Sequence, residues 1–185
     1  HWPHLLELGK VILGERLIVL IKPKQIGVSW LLADLVLWEA ITRGGSMQLI
    51  YSKGEEEAKE FLRKVRVLYE YLPEHLKLKL DPDSVLELGF KKMGSKIKGM
   101  PSTESAGVGY TASRVICDEH DEHPYAELNY MHSKATIDTG GQFISVFTAS
   151  NPNPDTLAKA LWKGAPGNGY RALFFPWDVV PGRTE

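Results

Sequence analysis

One stretch limits what this chain can fold into more than any other. Leu17-Ile18-Val19-Leu20-Ile21 is apolar at every position and runs straight into Lys22-Pro23-Lys24-Gln25-Ile26-Gly27-Val28-Ser29, after which apolar residues recur at helical spacing from Ser29 to about Thr42. A strand that is apolar throughout, rather than at alternate positions, is expected where both of its faces are buried. Burying both faces takes helices above and below the sheet, with crossover connections between parallel strands. The rest of the chain repeats the theme. Gln48–Tyr51 reads as a second strand, and Ser52-Lys53-Gly54-Glu55 has the form of a capping box with acids in the first helical turn. Ala58, Phe61, Leu62, Val65, Leu68 and Leu72 then fall on one helix face, and Pro73 ends that helix. Val85–Phe90 and Lys96–Met100 read as short strands with Gly94 in the turn between them. Further strands are expected at Arg114–Cys117, Phe143–Phe147 and Arg171–Phe175, with helices near Tyr125–Ile137 and Asp155–Trp162. The expected fold class is α/β, a mostly parallel sheet with helices on both faces.

Composition narrows the function classes. A chain of 185 residues with 43% hydrophobic residues is one domain's worth and can bury a substantial core. Its net charge of -1 leaves no general basic footprint of the kind that nucleic-acid binders carry. Cys117 is the only cysteine, so no disulfide forms within the chain and a reducing, intracellular setting fits. The stretch from Val11 to Ile21 is broken by Gly14, Glu15 and Arg16, so no run is long enough to span a bilayer, and no signal peptide is apparent. Repeats and low-complexity linkers are absent, and the final Pro181-Gly182-Arg183-Thr184-Glu185 has no closing element, as expected of a domain cut short.

In open α/β sheets, ligands bind at the carboxyl ends of the strands, and three strand ends here carry unusual residues. The first is Lys22 to Ser29: strand, glycine-containing turn, helix start. Exposed N–H groups and the helix dipole favour phosphate there, lysine adds a mobile charge, and a serine hydroxyl can ligate Mg²⁺. The usual lysine before Ser/Thr is replaced by Val28, so any lysine service falls to Lys22 or Lys24. A plain basic turn, with Ser29 as a helix N-cap, is the competing reading. The second end is Val115-Ile116-Cys117-Asp118-Glu119, where Asp118 can hold a Mg²⁺ ion and Glu119 can orient and deprotonate an attacking water. Acids also occur after strands simply because the chain is surfacing. The third is Thr148-Ala149-Ser150-Asn151 ahead of Pro152, small polar residues able to sense a terminal phosphate, with turn chemistry the alternative for Asn151 and Asn153.

Taken in order, these segments resemble the ATPase domain of terminase large subunits, the motors that package viral DNA. Lys22-x-Lys24-Gln25-x-Gly27-x-Ser29 is similar to the deviant Walker A motif of that family. Met47 to Ser52 with Glu55-Glu56-Glu57-Ala58 resembles the family's next segment, and Gly94 to Ser102 leads through Gly109-Tyr110-Thr111 into Asp118-Glu119 in the family's order. Thr148 to Asn151 matches the coupling motif. The resemblance implies an additional-strand (RecA-like) P-loop ATPase fold over residues 1–185, with a separate nuclease domain that is absent here. It implies ATP and Mg²⁺ as ligands, double-stranded DNA as the translocated substrate, and the portal protein and terminase small subunit as partners. A ring-forming homo-oligomer on the capsid, in the host cytoplasm and with no membrane, is implied by the same likeness. It makes Lys22, Lys24, Gln25, Ile26, Gly27, Val28, Ser29 and Trp30 the nucleotide-binding loop, with Lys22 and Lys24 also catalytic. Ser29 and Asp118 become the metal ligands, Glu119 the catalytic base, and Thr148, Ala149, Ser150 and Asn151 the coupling segment. Two departures matter. The arginine that many members carry before the Gly-Tyr-Thr segment is Val108 here, which leaves another residue such as Arg114 to supply it. The family often has an adenine-reading glutamine upstream of the first strand; this chain starts at His1-Trp2-Pro3-His4, as expected if that residue is cut off, and stacking of Trp2 or His4 on adenine is the alternative, although a core or surface role suits both better.

Three rival readings stand beside this one. Asp118-Glu119-His120-Asp121 also has the form of a DExH/D helicase box, which would make the chain one RecA-like half of a helicase. His120, Asp121, Glu122 and His123, with His132 further on, are adjacent potential metal ligands without the spacing of a closed site. The third is a nucleotide-binding domain that has lost catalysis.

Overall fold

The computed structural model describes residues 2–180 and 182. His1, Pro181 and residues 183–185 lie outside the described residues, and with them most of the C-terminal run read above as a cut end. Eight strands form one sheet: β1 (Leu17–Ile21), β2 (Met47–Ser52), β3 (Leu80–Ser84), β4 (Glu87–Phe90), β5 (Ser95–Pro101), β6 (Arg114–Asp118), β7 (Gln142–Phe147) and β8 (Arg171–Phe174), in the order β3-β4-β5-β2-β6-β7-β1-β8. Every pairing from β5 to β8 is parallel, and β3 and β4 extend one edge antiparallel. One strand, β7, lies between β1 and β6, with Ile18 opposite Ile144 and Cys117 opposite Ser145. It separates the strand that feeds the lysine loop from the strand that ends in two acids.

Successive side chains of the central strands alternate between two fully buried faces, as the all-apolar runs require. Ile18, Leu20, Ile50, Ile116 and Ile144 meet α1 (Pro3–Gly14), α2 (Val28–Thr42) and α3 (Glu55–Glu70). Val19, Tyr51, Val115, Cys117 and Phe143 face the layer formed by α4 (Ala126–His132), α5 (Lys134–Asp138) and α6 (Leu157–Gly164). None of the helices is long and apolar enough to cross a membrane, among the described residues.

Two local expectations are corrected, and two elements, α1 and β3, are added. Helix α1 was not legible in the pattern; it begins with Pro3 in the first turn and buries Leu8 and Ile12. The capping box does not form, because Ser52 belongs to β2 and Gly54 is the cap of α3 with no side-chain bond. Acids in the first turn and pairs such as Lys59–Glu55 support that helix end instead. Strand β3 contains Pro82, which is tolerated because the strand is an edge. The single helix expected over Tyr125–Ile137 is split into α4 and α5 at Ser133, whose hydroxyl donates to the Asn129 carbonyl.

Candidate active site

The carboxyl ends of β1, β7 and β6 lie side by side, so the loops leaving these three strands are brought together. The Lys22 N–H donates to Phe147 O at 3.0 Å, extending the β1–β7 ladder by one residue and fixing where the lysine leaves the sheet. The loop then turns through Gln25 at φ 61 and Gly27 at φ 80, and Gly27 is the N-cap of α2. No side chain caps that helix, which excludes Ser29 as a plain N-cap. Glycine is required at 27 for two reasons. The left-handed φ disfavours any Cβ, and a Cβ there would meet Leu5 Cδ1 at 3.0 Å and the Trp2 ring at 3.1 Å. Helix α1 therefore underpins the loop, and His4 Nε2 bonds Ile26 O at 2.8 Å from the same side. His4 is buried, which gives it a core role, and Trp2 packs on Gly27.

Ile26 and Val28 are 1% exposed and packed into the core. A lysine at position 28 would have to be buried, which explains why the positive charge sits earlier in the loop. Lys22 is 5% exposed, and its Nζ donates to Glu119 Oε1 at 2.6 Å and to Thr148 Oγ1 at 3.4 Å. Ser29 Oγ donates to Asp118 Oδ2 at 3.0 Å, while Asp118 Oδ1 is buried without a partner. Burial pushes the Asp118 carboxyl above its ordinary range, with Lys22 pulling the other way. Glu119 adopts a left-handed backbone at φ 53, which turns the chain sharply just after the strand. Lys24 is exposed on the loop rim, and Trp30 is 41% exposed on the first turn of α2. Loop, Lys22, Glu119 and Lys64 line a cavity of about 330 Å³. A smaller cleft of about 210 Å³ runs past Ser29, Asp118 and Glu119 beneath α3. Larger surface hollows lie elsewhere, the first against the outer side of α3 among ion-paired surface residues such as Glu60, Arg63 and Arg66. The chemistry-bearing groups are not there.

The segment after β7 also joins the site. Thr148 reaches Lys22, Ser150 Oγ donates to Glu122 Oε1 at 3.2 Å, and Asn151 Nδ2 donates to Asp121 O at 2.7 Å. It is thus tied to the turn just beyond Glu119. Ala149 is exposed and makes no polar contact of its own. Asn151 and Asn153 accept backbone bonds two residues on, as turn residues do.

Other residues singled out by sequence are placed elsewhere. Arg114 is not available as a catalytic arginine: it lies at the far end of β6 from Asp118, 7% exposed, pairing with Glu39 and Gln142. Val108 is 58% exposed in the turn before Gly109. Of the adjacent acids and histidines, only His120 and His123 stay together, with ring centroids 5.1 Å apart. Asp121 is buried against Lys159 at 3.2 Å, His120 Nδ1 contacts Ser145 Oγ at 2.7 Å, and His132 Nδ1 contacts Ala106 O at 2.9 Å. His123 Nε2 donates to Asp118 O at 2.8 Å. Burial holds both His120 and His123 below the ordinary imidazole range, His123 at about 4. Cys117, His120 and His123 each bring one ligand atom within 4.8 Å of the others, all buried in the packing under β6. Sequence reasoning missed Lys64, whose approach depends on how α3 crosses the sheet, and the buttress of Trp2, His4 and Leu5.

No protein-family model and no curated protein matches this sequence. Solved structures do match. The large terminase of bacteriophage HK97 superposes with a TM-score of 0.75 at 13% identity over 95% of this chain and 40% of its own. The fold is that of a large-terminase ATPase domain. The large terminase of a thermophilic bacteriophage, in complex with ADP, gives a TM-score of 0.76 at 12% identity over 100% of this chain and 48% of its own. The ATPase domain of the Thermus phage P74-26 large terminase gives 0.66 at 17% identity over 95% and 85%. The chain spans less than half the length of the first two proteins. The strand inserted between the loop strand and the acidic strand is the additional strand expected of a RecA-like large-terminase ATPase fold.

Proposed function

We propose that this chain is the ATP-hydrolysing domain of a viral DNA-packaging motor. The observation that carries the reading is the convergence of Lys22, Ser29, Asp118 and Glu119 at neighbouring strand ends, in a fold shared with large terminases. Lys22 and the open N–H groups at the start of α2 are suited to a triphosphate, with Lys24 at the rim. A phosphate that draws Lys22 away from Glu119 frees the carboxylate, which can then take a proton from the attacking water. Asp118 and Ser29 fit a divalent cation: a buried carboxylate oxygen has no partner, and a hydroxyl lies beside it. Mg²⁺ held there would screen phosphate charge. In this reading residues 1–185 are the ATPase domain and the nuclease is a separate domain. Thr148 to Asn151 couple the site to the neighbouring turn. Double-stranded DNA is the substrate moved, and the portal protein, the small subunit and further copies in a ring are the partners, in the host cytoplasm.

The test is ATP binding and phosphate release by the chain and its Lys22→Ala and Lys24→Ala variants. Losing a charge-assisted contact to phosphate should cost Lys22→Ala about ten- to a hundredfold in affinity, with a smaller loss for Lys24→Ala. If both variants bind and hydrolyse like the parent, the phosphate-loop assignment is wrong.

A further inference from the structure

Lys64 belongs to none of the motifs above, yet it is the one α3 residue that lines both the phosphate-loop cavity and the cleft beneath α3. Its place is set by helical spacing. Phe61 and Val65 are buried against the sheet, and Lys64, about 60° round the helix from Phe61 on the side away from Val65, falls on the margin of that face between Glu57 and Glu60. Its side chain is 18% exposed and donates to Glu60 Oε1 at 3.0 Å. Glu60 is shared with Arg63 and stays ionised down to about pH 2, chiefly through its bonds from Arg63 and then Lys64. The lysine is therefore held from behind by a partner on its own helix, with its open side toward Ser29, Asp118 and Glu119.

That wall of the cleft offers few other cations. Lys53 also lines it, but is 48% exposed and pairs with Glu57 at 3.3 Å. Lys22 lines the adjoining phosphate-loop cavity instead, and Arg114 is locked at the far end of β6. Phosphoryl transfer spreads negative charge over the terminal phosphate, and a positive group already positioned beside it stabilises that charge. We propose that Lys64 contacts the terminal phosphate of a nucleoside triphosphate seated on the loop, with Glu60 as its resting partner. Arrival of the third phosphate moves the ammonium from the carboxylate to phosphate oxygen, so Lys64 distinguishes triphosphate from diphosphate. The proposal rests on the nucleotide-site reading above.

The test measures affinity of the full 185-residue chain for ADP and for a non-hydrolysable ATP analogue, each with Mg²⁺, by calorimetry. Lys64→Met keeps the aliphatic stem and removes the charge. It should weaken the triphosphate analogue about ten- to a hundredfold while ADP affinity stays within about twofold. Lys64→Arg should recover part of the loss, and Glu60→Gln should tighten the analogue without changing ADP. An equal loss for both nucleotides, or no loss, overturns the role of Lys64. If the parent chain binds neither nucleotide, the nucleotide-site reading itself fails, and the proposal with it. Should Lys64→Met melt well below the parent, Lys64→Gln gives the same comparison in a different packing context.

Discussion

The same strands end in two different kinds of charge cluster. At the amino end of β6, Arg114 pairs with Glu39 and Gln142, and Glu39 also receives Arg43 at 3.1 Å. At the carboxyl end, Lys22 meets Glu119 and Thr148, while Asp118 leaves one buried oxygen bare. Both clusters are built around a buried cation and a carboxylate. The first is a guanidinium held in several directions, which fixes one arrangement. The second is an ammonium on a flexible stem, beside a left-handed residue and an open carboxylate oxygen, and it can exchange partners. The amino end is braced by a guanidinium that reaches several partners, while the carboxyl end keeps a cation free to change its partner.

Removing one group from each end should separate these roles. Glu119→Gln should lower ATP turnover by ~10²–10⁴-fold, the usual cost of losing a positioned general base, while nucleotide affinity and the melting temperature stay close to the parent. Normal turnover would take Glu119 out of the chemistry. Arg114→Ala should instead destabilise the fold by about 1–3 kcal/mol, because buried Glu39 keeps only the exposed Arg43 as a partner and Gln142 loses its donor. Denaturant unfolding reads that loss, and a change below about 1 kcal/mol would mean that the amino end is no more structural than the other.

Acid sharpens the comparison with a smaller effect, through the histidines packed behind Asp118 and Glu119. His123 titrates near 6.5 when unfolded and at about 4 when folded. Between those values the unfolded chain binds more protons, so stability is full above about pH 6.5 and falls as pH drops toward 4. His120 acts in the same direction, and each contributes at most ~1.4 kcal/mol per pH unit. Asp118, raised above its unfolded value, acts in the opposite sense once it begins to protonate. Unfolding curves from pH 7 to 5 should show the decline, and His123→Gln should flatten it; an unchanged slope would remove His123 as its source.

The sequence displays these regions unequally. Unbroken apolar runs announce β1, β6 and β7, and polar residues at their ends announce Lys22, Asp118, Glu119 and Thr148, because a strand's tip is adjacent to it in the chain. The Arg114–Glu39 pair gives no such signal, since its partners come from a helix and a strand far apart in sequence. Lys64 is invisible for the same reason, looking like any solvated lysine until α3 is laid over the sheet. The false capping box shows the reverse error, a local pattern overruled when Ser52 was taken into a strand. Edge strand β3 escaped notice because its Leu80-Asp81-Pro82-Asp83-Ser84 sequence lacks β-branched residues.

The contact between α1 and Gly27 makes the loop's conformation and the docking of that helix a single equilibrium. Trp2 and Leu5 touch the glycine and His4 holds Ile26, while Leu8 and Ile12 anchor the same helix in the core. Thermodynamic linkage is reciprocal, so whatever factor a docked α1 adds to the loop's affinity for an anion, a bound anion returns in full to the docking of α1. Helix α1, with no reacting group of its own, would then report whether the loop is occupied.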